Sequence, residues 1–126
     1  MTSWPKGAPR PGDRATLSRK VEADDIELFT RISGDRNPLH YDEPAARASR
    51  FGEIIVQGGV TSAILNAVVA ERLPGPGTVF LNVSWDFLAP VRPGDEITGA
   101  VEVLEARQDG TVVLDGTAVC YTASLD

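Results

Sequence analysis

The sequence predicts an α+β fold in which one curved antiparallel sheet wraps around a long central helix, and three observations carry that expectation. Residues from Val60 to Ala70 are apolar on nearly every face, with only Thr61, Ser62 and Asn66 as polar breaks before Glu71. A helix without a polar face is a buried one. After Leu73-Pro74-Gly75-Pro76-Gly77, which forbids its continuation, the pattern switches to the period of a strand. Leu81, Val83, Trp85 and Phe87 alternate with Asn82, Ser84 and Asp86, and Ile97, Gly99, Val101 and Val103 alternate with more polar neighbours. Asp109-Gly110 is a hairpin signal before a last strand from Thr111 to about Ala123. Three long strands thus follow one helix that needs cover on most sides.

The preceding elements follow from local chemistry. Residues 1–13 are rich in Pro and Gly and read as an irregular arm, leading into a short strand near Ala15 to Val21. Asp24 with Glu27 three residues on resembles a capping box, and Ile26, Phe29 and Ile32, with Leu28 beside them, keep helical spacing. Gly34 stops that pattern, because glycine enters the left-handed region at no steric cost. Asn37 precedes Pro38 and is pushed out of the helical region, so the chain bends between Asp35 and His40. Asp42 caps a second short helix through Ala45, Ala46 and Ala48, with Pro44 tolerated in its first turn, and Phe51-Gly52 ends it. Ile54-Ile55-Val56 then leads into Gln57-Gly58-Gly59, where the buried helix opens on its way to about Arg72.

Composition bounds the answer from outside. A chain of 126 residues, 42% hydrophobic, fits a single domain over residues 1–126 with a core of its own. Its net charge of -6 argues against nucleic acid and against an anionic membrane surface as partners. Cys120 is the only cysteine, so no internal disulfide is expected. The stretch Met1-Thr2-Ser3-Trp4-Pro5-Lys6-Gly7 lacks the apolar centre of a targeting peptide, and no apolar run reaches membrane-spanning length. The expectation is a soluble cytoplasmic protein. No internal repeat or low-complexity segment is visible.

The residues able to do chemistry gather around the Asn37-Pro38 bend. Asp35 and His40, the only histidine, are a carboxylate and an imidazole whose environments can separate their pKa values into acid and base roles. Taken alone, they fit a helix-terminating turn as well. Gly58 and Gly59 open the buried helix, where free amides and the helix dipole favour a developing negative oxygen, though they also suit a tight strand-to-helix turn. Ser62 and Asn66 are four apart and share one helix face. Arg50 and Arg92 have the right head group for phosphate but receive no assignment, since an exposed arginine is usually only solvated.

Phe29, Ile32, Ser33, Gly34-Asp35, Asn37-Pro38-Leu39-His40 and then, after five residues, Ala46 fit a known signature at every position. In that stretch the chain resembles the MaoC-like (R)-specific enoyl-CoA hydratases of the hotdog superfamily. The likeness continues through Phe51-Gly52, the Gly58 region, Leu73-Pro74-Gly75 and Val91-Arg92-Pro93-Gly94-Asp95, covering most of the chain after about residue 20. The resemblance implies a hotdog domain that hydrates trans-2-enoyl-CoA to (R)-3-hydroxyacyl-CoA, or catalyses the reverse dehydration. Asp35 and His40 are the implied catalytic pair, one ordering and deprotonating the water while the other supplies or relays the proton. Gly58 is the implied oxyanion amide. Asn37 and Asn66 complete the oxyanion and substrate-binding positions, Asn66 falling near where a serine often supports the catalytic aspartate. Many relatives carry His or Pro where this chain has Gln57. No metal or redox cofactor is implied, and the acyl group arrives on coenzyme A or acyl carrier protein. Family domains usually pair into a continuous sheet, which implies a homodimer with its sites near the subunit boundary.

Two rival readings stay beside this one. A non-catalytic acyl-thioester-binding hotdog subunit would make Gln57 and Asn66 marks of a lapsed or specialised site, against which the intact Asp35 and His40 argue. A hotdog acyl-CoA thioesterase is the other. Several thioesterase lineages place an acid on the central helix, and this helix has none before Glu71.

Overall fold

The computed structural model describes Trp4 and residues 7–121, the last four of these by backbone alone. The element order is β1 (Arg14–Lys20), α1 (Asp24–Ser33), α2 (Pro38–Tyr41), α3 (Glu43–Ala48), α4 (Gly58–Glu71), β2 (Glu96–Ala106) and β3 (Val112–Tyr121). Residues 122 and 123, the end of the expected last strand, and residues 1–3, 5 and 6 of the expected arm lie outside the described residues.

The strands form one antiparallel sheet in the order β1-β2-β3. Leu17 faces Gly99 across one ladder and Val101 faces Gly116 across the other. Alternation along β2 is what the sequence pattern requires: Ile97, Gly99, Val101 and Val103 are buried in turn. Ile97, Gly99 and Val101 meet Ile64, Leu65 and Val68 of α4, and Val21, Ile26, Val56 and Val91 close the same core. Gly99 matters here, because a Cβ on it would sit 3.1 Å from Ile64 Cγ2. Without one, the helix lies close against the middle strand. The β2–β3 turn is held by Asp109, whose carboxylate accepts from the Thr111 amide at 2.9 Å. That hydrogen bond holds the Asp109 carboxyl below its ordinary pKa.

The expectation of a curved sheet wrapped around the central helix is corrected. Among the described residues the sheet has three strands, is open at β1 and β3, and is neither closed nor strongly curled. One side of α4 is covered, by Val60, Ile64, Leu65, Val68 and Val69 facing inward, while Ala63 and Asn66 are exposed and Ala67 and Ala70 half-buried. The physical reason is size. Alanine has little apolar area to lose to water, so a helix can be apolar by count on every side and still need cover on one.

Leu81 to Phe87, expected as the first of three strands after the helix, is irregular and outside the sheet, leaving two strands there among the described residues. Alternation reports which side chains seek cover, but it does not supply the neighbouring backbone that makes a ladder. Every residue from Val79 to Ala89 is exposed. No helix among the described residues is long and apolar enough to cross a membrane.

α1 departs from expectation at its start and on one face. Ala23 is its N-cap and no side chain caps it. The Asp25 carboxylate reaches back to the Glu22 amide at 2.8 Å and pairs with Arg19 of β1 at 2.7 Å, so the neighbouring strand, not a local capping box, selects the acid. Ile26 and Thr30 are buried and Phe29 half-buried, whereas Leu28 and Ile32 point outward.

Candidate active site

The site is built where α1 docks on the head of α4. Phe29 packs over Gly59 so closely that a Cβ on that glycine would overlap the ring. This brings the end of α1 to the start of α4. There Gly34 takes the left-handed conformation at φ 78° and its amide bonds Thr30 O at 2.8 Å, closing the helix. The Ser33 hydroxyl donates to Phe29 O at 2.8 Å and accepts from the Asp35 amide at 3.1 Å. Asp35 is therefore the first side chain past a fully bonded turn.

Asp35 then folds the next turn around itself. Its Oδ1 accepts from the Asn37 amide at 3.0 Å, and Asn37 Oδ1 accepts from the Leu39 amide at 3.0 Å. Asn37 is the N-cap of α2 and Pro38 opens it, so His40 falls in its last turn. The imidazole reaches inward, and its Nδ1 lies 2.7 Å from Ile55 O. A carbonyl can only accept, so Nδ1 carries the proton, and in the neutral ring the lone pair is left on Nε2.

That lone pair faces Asp35. His40 Nε2 and Asp35 Oδ2 are 3.7 Å apart, with the imidazole 9% exposed and the carboxylate 39%. The separation is too long for a direct hydrogen bond, and the carboxylate and the neutral ring are both acceptors. A small molecule with two O–H donors, such as water, can satisfy both at once. The pair is thus a receptor for a hydroxylic proton donor, anchored on the buried side by the Ile55 carbonyl.

The head of α4 meets α1 where the Phe29 ring lies on Gly59. Gln57 is the N-cap, with ψ at 148°, but makes no capping bond, so Gly58 opens the helix with an amide that has no partner within it. The ring of Phe87 closes over this point: a Cβ on Gly58 would meet Phe87 Cε1 at 3.0 Å. Arg92 is engaged elsewhere, paired with Glu53 and donating to Phe51 O at 3.2 Å. Arg50 stands over the Phe51 ring.

The residues expected at a site are thus distributed unevenly. Asp35 and His40 come together, and Gly58 stands where α1 meets α4. The Asn37 side chain is taken up in capping α2. Asn66 lies two turns beyond Gly58, about 12 Å along the axis. It is exposed, and no hydrogen bond joins it to Asp35 among the described residues. An open depression of about 340 Å³ adjoins His40 on another side, lined by Glu27, Tyr41, Glu43 and Ile54 among others. Asp35 and Gly58 do not line it. Sequence reasoning gave no site role to Phe87, Thr30 or Tyr41. The alternation places Phe87 in an expected strand, and only its contact with Gly58 reveals another placement.

Fold and site together define a small α+β domain that presents a carboxylate–imidazole pair beside a glycine-opened helix. Residues 7–120 match the model of the MaoC like domain, and the chain belongs to that family. It is 42% identical over 89 residues to the 3-hydroxybutyryl-CoA dehydratase of Methylorubrum extorquens, a match covering 71% of this chain and 57% of that one. To the (R)-specific enoyl-CoA hydratase of Rhodospirillum rubrum it is 39% identical over 94 residues, covering 75% and 65% respectively. The chain thus spans less than two thirds of the length of these two relatives. Among solved structures, the (R)-hydratase from A. caviae involved in PHA biosynthesis superposes with a TM-score of 0.75 at 31% identity, over 90% of this chain and 97% of that one.

Proposed function

We propose that the protein is a hydro-lyase that interconverts trans-2-enoyl and (R)-3-hydroxyacyl thioesters, with Asp35 and His40 as its acid-base pair. The single observation that carries this reading is the opposition of Asp35 Oδ2 and His40 Nε2 at 3.7 Å. In hydration, the water between them loses a proton to the pair as its oxygen bonds C3 of the enoyl group. The C2=C3 electrons move toward the thioester oxygen, where the Gly58 amide offers a hydrogen bond to the growing charge. The proton held by the pair then passes to C2, so that the water's hydrogen and hydroxyl both end on the substrate. Dehydration is the same path reversed. Asn37 serves by holding the turn that aims Asp35, and Asn66 by lining the substrate side of α4.

Similarity to two relatives named for 3-hydroxybutyryl-CoA dehydration and (R)-specific enoyl-CoA hydration supports the substrate class. The carrier is coenzyme A or acyl carrier protein. We also propose a homodimer, in which a second copy covers the apolar stretch 79–88. The test of function is a panel of enoyl and 3-hydroxyacyl thioesters, followed by loss or gain of the conjugated enoyl absorbance and by chiral analysis of the product. Turnover giving the (R) alcohol is expected. Binding of thioesters without turnover would replace this reading with the non-catalytic one, and release of free thiol would replace it with a thioesterase.

A further inference from the structure

Gln57 is among the most buried side chains, at 1% exposure. Its Nε2 donates twice, to Ile26 O at 3.1 Å and to Thr30 Oγ1 at 3.0 Å. The orientation of the amide follows from its partners. Ile26 O can only accept, so the NH₂ end must face it, and Oε1 is left buried with no hydrogen-bond partner among the described residues. A buried amide with one end unused is an expensive way to fill space, which an apolar side chain would do without that cost.

The bond to Thr30 does not end there. Thr30, 3% exposed, donates its proton to the backbone oxygen of Asp35 at 2.8 Å. Its oxygen also stands 2.5 Å from the Tyr41 hydroxyl, and Tyr41 in turn donates to Glu27 at 2.8 Å. Asp35 O accepts only, so the Thr30 proton is committed to it and a Thr30 lone pair receives Gln57, while the single Tyr41 proton is divided between Thr30 and Glu27. One continuous path therefore runs from the residue next to Gly58, through Thr30, to the main chain of Asp35, and sideways to the residue after His40.

We infer that Gln57 is a positioning residue, which through Thr30 fixes the Asp35 turn relative to the head of α4. It sets the distance between the acid-base pair and the Gly58 amide, and it rests on the reading above that both act on one thioester. Neither Gln57 nor Thr30 touches the reacting atoms. Their effect is on geometry, and misplacement of reacting groups by about 1 Å can cost about 100-fold in rate.

The test uses four variants: Gln57→Leu, Thr30→Val, Thr30→Ser and the double Gln57→Leu/Thr30→Val. Gln57→Leu and Thr30→Val are expected to lower kcat by about 10- to 100-fold with KM nearly unchanged, because both side chains are buried away from the bound thioester. Thr30→Ser, which keeps the hydroxyl, is expected to retain most of the activity, and the double variant to be no worse than the worse single one. Hydrogen exchange supplies a readout that does not depend on turnover. In Gln57→Leu, the amides of Asn37 and Leu39 should exchange faster while those inside α4 keep their protection. Parent-like kcat with parent-like exchange at Asn37 and Leu39 overturns the inference. So does uniform loss of protection through α4, which would make Gln57 a packing residue only. If the parent turns over no thioester, the functional reading falls, and the exchange experiment still decides whether Gln57 holds the turn.

Discussion

Asp35 and His40 face each other because each has its other polar atom tied down, Oδ1 by the Asn37 amide and Nδ1 by the Ile55 carbonyl. Neither anchor needs the partner, so either side chain can be changed while the other stays in place. Asp35→Asn keeps an oxygen for the Asn37 amide and loses the charge, and His40→Ala removes the lone pair. Each should lower turnover by at least about 100-fold, the lower end for positioned acid-base groups. Because the proposed mechanism has both groups handle one proton of one water, the double variant should be scarcely worse than the worse single one. Steady-state kinetics on all three variants, with circular dichroism to establish folding, measures this. Turnover near the parent rate in folded Asp35→Asn would remove the carboxylate from the mechanism.

At the scale of elements, the head of α4 offers a substitution with few structural consequences. Gly58 is the first helical residue, where proline is tolerated, and Gln57 at ψ 148° already has the extended backbone that a following proline demands. Gly58→Pro removes the amide hydrogen, but its Cβ also presses on Phe87. Gly58→Ala carries the same crowding and keeps the donor, so the ratio between the two variants isolates the hydrogen bond. A further loss of about 100- to 1,000-fold in turnover is expected for the proline variant relative to alanine, the usual cost of one oxyanion donor. Equal rates would move the oxyanion site elsewhere. The elements that aim these groups were legible because their signals are local: Gly34 stops α1, Asn37-Pro38 makes the bend, and Asp42 accepts from the Ala45 amide to start α3. What was illegible depends on distant residues. Asp25 in place of Asp24 was chosen by Arg19, and the Gln57 path joins residues about thirty apart in sequence. The only hint of that path in the sequence was an amide standing directly before a buried helix.

At the scale of the whole molecule, the described fold leaves a large apolar debt along residues 79–88, where Leu81 is 82% exposed and Leu88 94%. Scattered exposed apolar side chains are ordinary, but seven within ten residues mark an interaction site or an aggregation hazard. Leu28 at 57% and Ile32 at 83%, four apart on α1, add a second apolar strip. The run also reaches the site, since Phe87 covers Gly58. A second copy seated on it would therefore lie at the edge of the active site, and both edges of the open sheet remain available for pairing. Sedimentation across a wide concentration range should show a homodimer. Leu81→Asp/Leu88→Asp places charges on side chains that this core does not use, so it should yield a folded monomer by circular dichroism. Loss of the dimer should also lower turnover, because the second copy would no longer cover the run that reaches Gly58 through Phe87. A parent that sediments as a monomer with full activity would dismiss both the dimer and the shared boundary of the site.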